Sequence, residues 1–356
     1  MFGVYVHIPF CRRRCDYCAF ATWTDRSSLI PAYVDACIAD VARADLPPAT
    51  SVFVGGGTPS LVDGVSLGRL LSAVPVAAGG AEVTVECNPD DASPELFDAW
   101  LAAGVTRVSF GVQSMRSHVL ASLGRAHDPA SVVRATSLAA SCGFASWSVD
   151  LIYGGAGETL DDWRSTLTSV LSLPAGAPPH VSAYALTVEP GTPLALDASR
   201  HPDDDDQAAK YEVAESMLSG AGLRWYELSN WALPGHECRH NRLYWAQGDY
   251  AGIGCAAHSH VGGRRWWNVR TPDRYIALVE AGASVEAGSE ALAGVARRRE
   301  AVELSLRTRS GVPASLVPDE VLDAGLVDVT SSPGRAVLTV PGRLLANEVA
   351  IRLRDP

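Results

Sequence analysis

CRRRCDYCAF, residues 11–20, places Cys11, Cys15 and Cys18 within eight residues of a 356-residue chain that holds eight cysteines in all. The spacing is C-x3-C-x2-C, on a loop after the apolar run GVYVHI (3–8). Structural zinc takes four protein ligands, so three thiols would need His7 or Asp16 as a fourth. An electron-transfer iron–sulfur cubane takes four thiolates. Three thiolates leave one iron open to an outside ligand. Tyr17 offers a flat aromatic face between the second and third cysteines. Arg12, Arg13 and Arg14 either offset thiolate charge or form a solvated basic loop.

Outward from this loop, short β-rich runs alternate with amphipathic helical stretches. The strand candidates are GVYVHI (3–8), SVFV (51–54), EVTVE (82–86), TRVSF (106–110), WSVDLIY (147–153), VSAYAL (181–186) and LRWYEL (223–228). Helical patterns cover residues 29–44, 66–74, 94–103, 129–141, 160–173 and 204–220. This alternation predicts an α/β fold, a parallel sheet with right-handed crossovers closing into a partial or complete barrel or lying open. Polar residues cluster where strands end, which is the active-site face of such a barrel. The cysteines follow the first strand and Gly55–Gly56–Gly57 the second; Glu86 ends the third, Gln113 follows the fourth and Asp150 lies in the fifth. Asp203–Asp206 begins a helix and reads as capping.

Residues 1–232 form the barrel unit on this reading. Residues 233–296 are a connecting region rich in His, Asn, Tyr, Trp and Gly without a long periodic helix. Residues 297–356 read as two helices and a short hairpin, a small α+β winged-helix-like domain. The net charge of −11 argues against nucleic acid as a partner. No apolar run reaches the roughly 18–20 residues that span a bilayer. The first ten residues lack a basic n-region and a cleavage site, so the chain is expected in the cytoplasm, where clustered thiols bind metal rather than form disulfides.

The segment YVHIPFCRRRCDYCAF, followed by GGGTP (55–59), resembles the radical SAM superfamily. Within it, the chain is similar to the branch holding the oxygen-independent coproporphyrinogen III dehydrogenases and the HemW-type haem chaperones. The resemblance implies a radical SAM partial (β/α) barrel with a 4Fe–4S cluster on Cys11, Cys15 and Cys18, whose open iron takes S-adenosylmethionine (SAM). It further implies SAM contacts from Tyr5, Tyr17, Gly56, Gly57, Thr58, Glu86, Gln113, Arg125 and Asp150. Each of the polar residues also has a plain alternative as a surface pair, a cap or a backbone partner. GGAGET (154–159) departs from the family, which usually has Leu-Pro after the first glycine.

Two features bear on the use of the cofactor. The dehydrogenase branch carries a further cysteine two residues after the third; here that residue is Phe20, the chaperone pattern. CRHNRLYW (238–245) resembles the HNxxYW motif of the chaperones and marks His240, Asn241, Tyr244 and Trp245 as haem-binding candidates, with Cys238 as a rival ligand. An imidazole suits haem iron and aromatic rings suit a porphyrin. The alternative is that His240 and Asn241 form a hydrogen-bonded loop while Tyr244 and Trp245 are core. The leading expectation is a haem chaperone that passes haem to haem-dependent respiratory proteins. A homodimer, and membrane attachment through a partner, are compatible with it. The runner-up is a catalytic radical SAM coproporphyrinogen III dehydrogenase.

Overall fold

The computed structural model describes residues 1–355. Six parallel strands stand side by side in chain order: β1 (Phe2–Ile8), β2 (Ser51–Gly56), β3 (Glu82–Cys87), β4 (Arg107–Gln113), β5 (Ser146–Tyr153) and β6 (His180–Ala185). The crossovers carry α1 (Ile30–Ala44), α2 (Gly64–Ala73), α3 (Pro94–Ala102), α4 (Ser117–Ser122), α5 (Pro129–Cys142) and α6 (Leu160–Leu171). Helix starts follow local chemistry. Asp63, Ser93 and Asp128 each accept a backbone N–H of the first turn, and Thr159 with Asp162 forms a capping box. This is the expected α/β fold, a parallel sheet with helical crossovers.

The two faces of these strands differ in kind. Val4, Val6, Val52, Val54, Val85, Val108, Phe110, Val149 and Leu151 are buried in one core with helix residues such as Leu67, Phe97, Trp100 and Leu167. The opposite face is polar, and the register aligns it in rows. Thr84 lies beside Arg107; Glu86, Ser109, Ser148 and His180 form one row; Gly111, Asp150 and Ser182 form the next. A closed (β/α)8 barrel fills its interior with branched apolar side chains. Here the interior is lined by hydroxyls, carboxyls and a guanidinium, which leaves it able to hold polar ligands.

The chain then enlarges the sheet at both edges. After α7 (Asp204–Gly220), β7 (Arg224–Glu227) and β8 (Asn230–Ala232) form a hairpin with β8 antiparallel to β6. LRWYEL therefore lies at the sheet's outer edge, separated from β6 by β8. The expected cap is present, with Asp203 accepting from Asp206 N at 2.9 Å. Residues 233–296 hold α8 (Arg239–Trp245), β9 (Asp249–Ile253), β10 (His258–Val261), β11 (Arg264–Asn268), α9 (Pro272–Glu280) and β12 (Glu286–Ala291). β9 pairs parallel with β1, and β10, β11 and β12 follow antiparallel. Among the described residues the sheet has twelve strands.

The C-terminal segment comprises α10 (Gly294–Leu306), β13 (Val312–Pro313), α11 (Asp319–Asp323), β14 (Val327–Asp328), β15 (Arg335–Leu338), α12 (Val340–Leu344) and α13 (Ala346–Arg352). It has its own core of Leu306, Val312, Val317, Val321, Leu338 and Val349. It is tied to β7 by Arg309 N donating to Tyr226 O at 2.9 Å and to α7 by an Arg343–Glu215 ion pair at 2.7 Å. Among the described residues no helix is long and apolar enough to cross a membrane.

Candidate cofactor site and barrel lumen

Cys11, Cys15 and Cys18 are free and half-buried on the loop between β1 and α1. The loop is pinned at its ends by Cys11 N donating to Trp23 O (3.0 Å) and Trp23 N to Pro9 O (2.7 Å). Thr58 Oγ1 donates to Cys11 Sγ and Arg125 Nη1 to Cys15 Sγ, each at 3.5 Å. Thr22 Oγ1 is buried without a partner and lies beside Cys11 and Cys18. Burial pushes the Cys11 and Cys18 thiols up. Donors turned toward sulfur counter that cost once the thiols are deprotonated, so the donor set fits thiolate ligation of a cluster. Among the described residues no three His, Cys, Asp or Glu side chains are spaced to enclose a single ion.

The zinc alternative lacks its fourth ligand. His7 Nδ1 accepts from Tyr5 Oη and His7 Nε2 donates to Ala21 O, both at 2.9 Å, and Asp16 pairs with Arg200 at 2.8 Å. Of the three arginines, Arg12 pairs with Asp91 and Arg14 donates to Cys18 O at 3.0 Å. Phe20 is 67% exposed.

The glycine turn is backbone-determined. Gly56 has φ 112°, and a Cβ there would meet the His7 ring at 2.3 Å; a Cβ on Gly57 would meet Phe10 O at 2.7 Å. Gly56 N donates to Glu86 Oε2 at 3.1 Å. Burial, then the nearby Asp150, pushes the Glu86 carboxyl up to about 8. Asp150 accepts from Ser182 (2.7 Å) and Ser109 (2.8 Å), yet burial still raises it.

Gln113 sits at a register break in β4 with φ 64°. A residue with a side chain in this left-handed region is strained, and the break re-aims it toward Gly111 and Arg125. Arg125 Nη2 donates to Gly111 O (2.9 Å), and His127 Nε2 to Val112 O (2.9 Å). Tyr17 is partly buried beside Val119, Leu123 and Leu186, next to Cys15 and Arg125. The expected residues thus form two groups: the thiols with Thr58, Tyr17, Gln113 and Arg125, and Tyr5 with Glu86 and Asp150 on the lumen wall.

The second group lines a lumen cavity of about 160 Å³. Its floor is α8. Glu82, at the start of β3, accepts Arg239 N at 2.7 Å and His240 N at 3.4 Å, which places a carboxylate at the helix N-terminus. His240 is 1% exposed, with Nδ1 bonded to Ser51 Oγ (3.0 Å) and Nε2 to Tyr244 Oη (2.8 Å). Asn241 donates to Glu227 Oε1 at 3.0 Å, and Trp245 Nε1 is buried. Burial drives His240 down to about 3, so it is a neutral, satisfied imidazole. Cys238 is also buried. In this packing His240, Asn241 and Tyr244 are engaged in hydrogen bonds, while Trp245 Nε1 has no partner and Cys238 lines the cavity with His240, Asn241 and Tyr244.

Sequence reading missed Thr22, His127 and Arg107, and saw His7 only as a zinc ligand. Thr22, in ATWT four residues after Cys18, carries no motif. His127 follows Arg125 by two, a spacing that signals a shared site only once the fold is known.

A family model described as Radical SAM superfamily matches residues 5–170. The chain is 42% identical to the heme chaperone HemW of Mycobacterium tuberculosis (strain H37Rv), over 98% of this chain and 93% of that one. It is 33% identical to the heme chaperone HemW of Bacillus subtilis (strain 168), over 98% of each. Its fold matches coproporphyrinogen III oxidase (HemN) of Escherichia coli, described as a radical SAM enzyme, with TM-score 0.84 at 23% identity over 99% of this chain and 89% of that one. With an approach to full-length coverage at this identity, the chain belongs to the HemW family of the radical SAM superfamily.

Proposed function

We propose that this chain is a haem chaperone. It carries a 4Fe–4S cluster on Cys11, Cys15 and Cys18, binds SAM at the open iron and passes haem to haem-dependent proteins such as respiratory enzymes. The relatives' printed name, heme chaperone, supports the haem role. The single observation that carries the reading within this chain is Phe20, exposed beside the cluster loop where the dehydrogenase branch has a further cysteine. When bound, the cluster supplies an electron-carrying centre with an iron open to SAM. The chain's own residues position it: Thr58, Thr22 and Arg125 direct donors at the sulfurs, and the Gly56–Gly57 turn brings backbone within reach of a ligand amine. Glu86, Gln113 and Asp150 offer partners to amine and hydroxyl groups, and Arg125 a planar fork for a carboxylate.

On this reading His240, Asn241, Tyr244 and Trp245 are the haem-binding candidates, with Cys238 as the rival ligand, and α8 gives up its internal hydrogen bonds when haem binds. The test is anaerobic reconstitution with iron and sulfide, followed by incubation with SAM, a reductant and coproporphyrinogen III. Three-cysteine-dependent cluster absorption without protoporphyrinogen formation is the expected result. Turnover of the porphyrinogen, or a full cluster in Cys15→Ala, would overturn the reading.

A further inference from the structure

Arg107 opens β4 with its guanidinium in the lumen, 2% exposed, and its Nε and Nη2 have no hydrogen-bond partner. Buried N–H donors without acceptors are costly. Glu82 and Asp150 lie close enough to stabilise the charge itself, but the hydrogen bonds of the neighbouring acidic groups are made elsewhere. Asp150 is held by Ser109 and Ser182, Glu82 by the N-terminus of α8, and Glu227 by Ser229 N, Asn230 and Asn241. Cys238 lies close, but burial holds its thiol up at about 11, so it is neutral at physiological pH.

A second unpartnered polar atom faces the same cavity. Asn241 Nδ2 donates to Tyr226 Oη at 3.3 Å, and Tyr226 Oη shares a hydrogen bond with His180 Nε2 at 2.9 Å. The other ring nitrogen, Nδ1, is buried without a partner, and burial with Arg107 nearby keeps the ring neutral. Thr84 Oγ1, in register with Arg107, is also buried and unpartnered. The cavity of about 160 Å³ is comparable to cavities that accept a six-membered ring.

We propose that this lumen floor is a binding site for a small monocarboxylate, received by the guanidinium of Arg107 beside the imidazole of His180. A planar fork suits a carboxylate bidentately. A monocarboxylate brings the least added negative charge to a lumen that already holds Asp150 and Glu227; a dianion such as phosphate brings more. The proposal stands independently of the haem reading.

The test uses the cluster-reconstituted full chain and propionate as the probe, with propionamide as its neutral isostere, and thermal unfolding as the readout. Propionate should raise the melting temperature saturably at millimolar concentration while propionamide does not. Arg107→Gln should bind propionate at least tenfold more weakly. Crystals soaked with 3-bromopropionate should show bromine density in the lumen, which decides the matter on the wild-type chain if Arg107→Gln does not fold. Equal responses to propionate and propionamide, no response, bromine density only elsewhere, or a response abolished by SAM would overturn the site. Saturating haem identifies the source of the carboxylate: displacement of propionate assigns the site to a haem side chain, retention to a free small molecule.

Discussion

His240 and Tyr244 stand one turn apart on α8, their Nε2 and Oη 2.8 Å apart, and together they close the bottom of a polar barrel. The pair is stabilising through burial as well as hydrogen bonding. His240→Ala leaves a cavity and strands the Ser51 and Tyr244 hydroxyls, for a loss of about 2–4 kcal/mol. Tyr244→Phe removes one bond and should cost about 1–2 kcal/mol. Urea unfolding measures both. Haem titration of His240→Ala reads the haem role: a weakened or lost Soret band in a variant that remains folded is the expected result, and an unchanged band and affinity would remove His240 from the haem site.

The raised carboxyl of Glu86 makes stability depend on pH. Its ordinary value is 4.5 and its folded value about 8. Between them the unfolded chain releases a proton that the folded chain keeps, so this group lowers stability as pH rises through the window. Glu86→Gln, which keeps the shape and an acceptor for Gly56 N, should gain on the wild type as pH goes from 5 to 8, by up to a few kcal/mol. Urea midpoints at three pH values check this. A difference that stays constant across them contradicts it.

Thr22 and Thr58 separate the empty loop from the loaded one. Thr22→Val removes a buried hydroxyl without a partner, so the cluster-free protein should be unchanged or more stable by about 1 kcal/mol. With the cluster assembled, either Thr22→Val or Thr58→Val removes a donor to sulfur and should make the reduction potential more negative. Redox titration followed by electron paramagnetic resonance reads the shift. Potentials unchanged in both variants would show that these hydroxyls do not face the cluster.

Ala256 holds φ 56° in the turn between β9 and β10. Glycine adopts that conformation without Cβ strain, so Ala256→Gly should stabilise the chain by about 0.5–1 kcal/mol, raising the melting temperature by a degree or two. Calorimetry tests it; an equal or lower melting temperature would show that the turn is not strained by its side chain.

The six parallel strands and most of the helices between them were legible because the strands are short apolar-rich runs and those helices start with a cap or a proline; α4, with neither, was not read. The edge strands β9 to β12 were not. They are four to six residues long, broken by Gly252, Gly262, Gly263 and Gly288, and gain their pairing from β1, far away in sequence. The three-cysteine loop stood out by its spacing, and its reading as a cluster loop rested on that spacing together with the family resemblance. The packing of α8 was not legible, because a seven-residue helix holding His, Asn, Tyr and Trp has the composition of a ligand site. Its contacts with Gly3, Ser51 and Glu82 appear only in the fold. Arg107 in TRVSF looks like any polar strand residue until register places it in the lumen.

The central claim is haem handling by a cluster-bearing chain, and the most direct measurement is an anaerobic haem titration of the reconstituted protein followed by mixing with an apo haem protein. The account predicts a saturable Soret band, then its transfer to the acceptor, with transfer lost in Cys11→Ala, Cys15→Ala and Cys18→Ala. Absence of haem uptake by the reconstituted chain, together with SAM cleavage coupled to porphyrinogen decarboxylation, would contradict it.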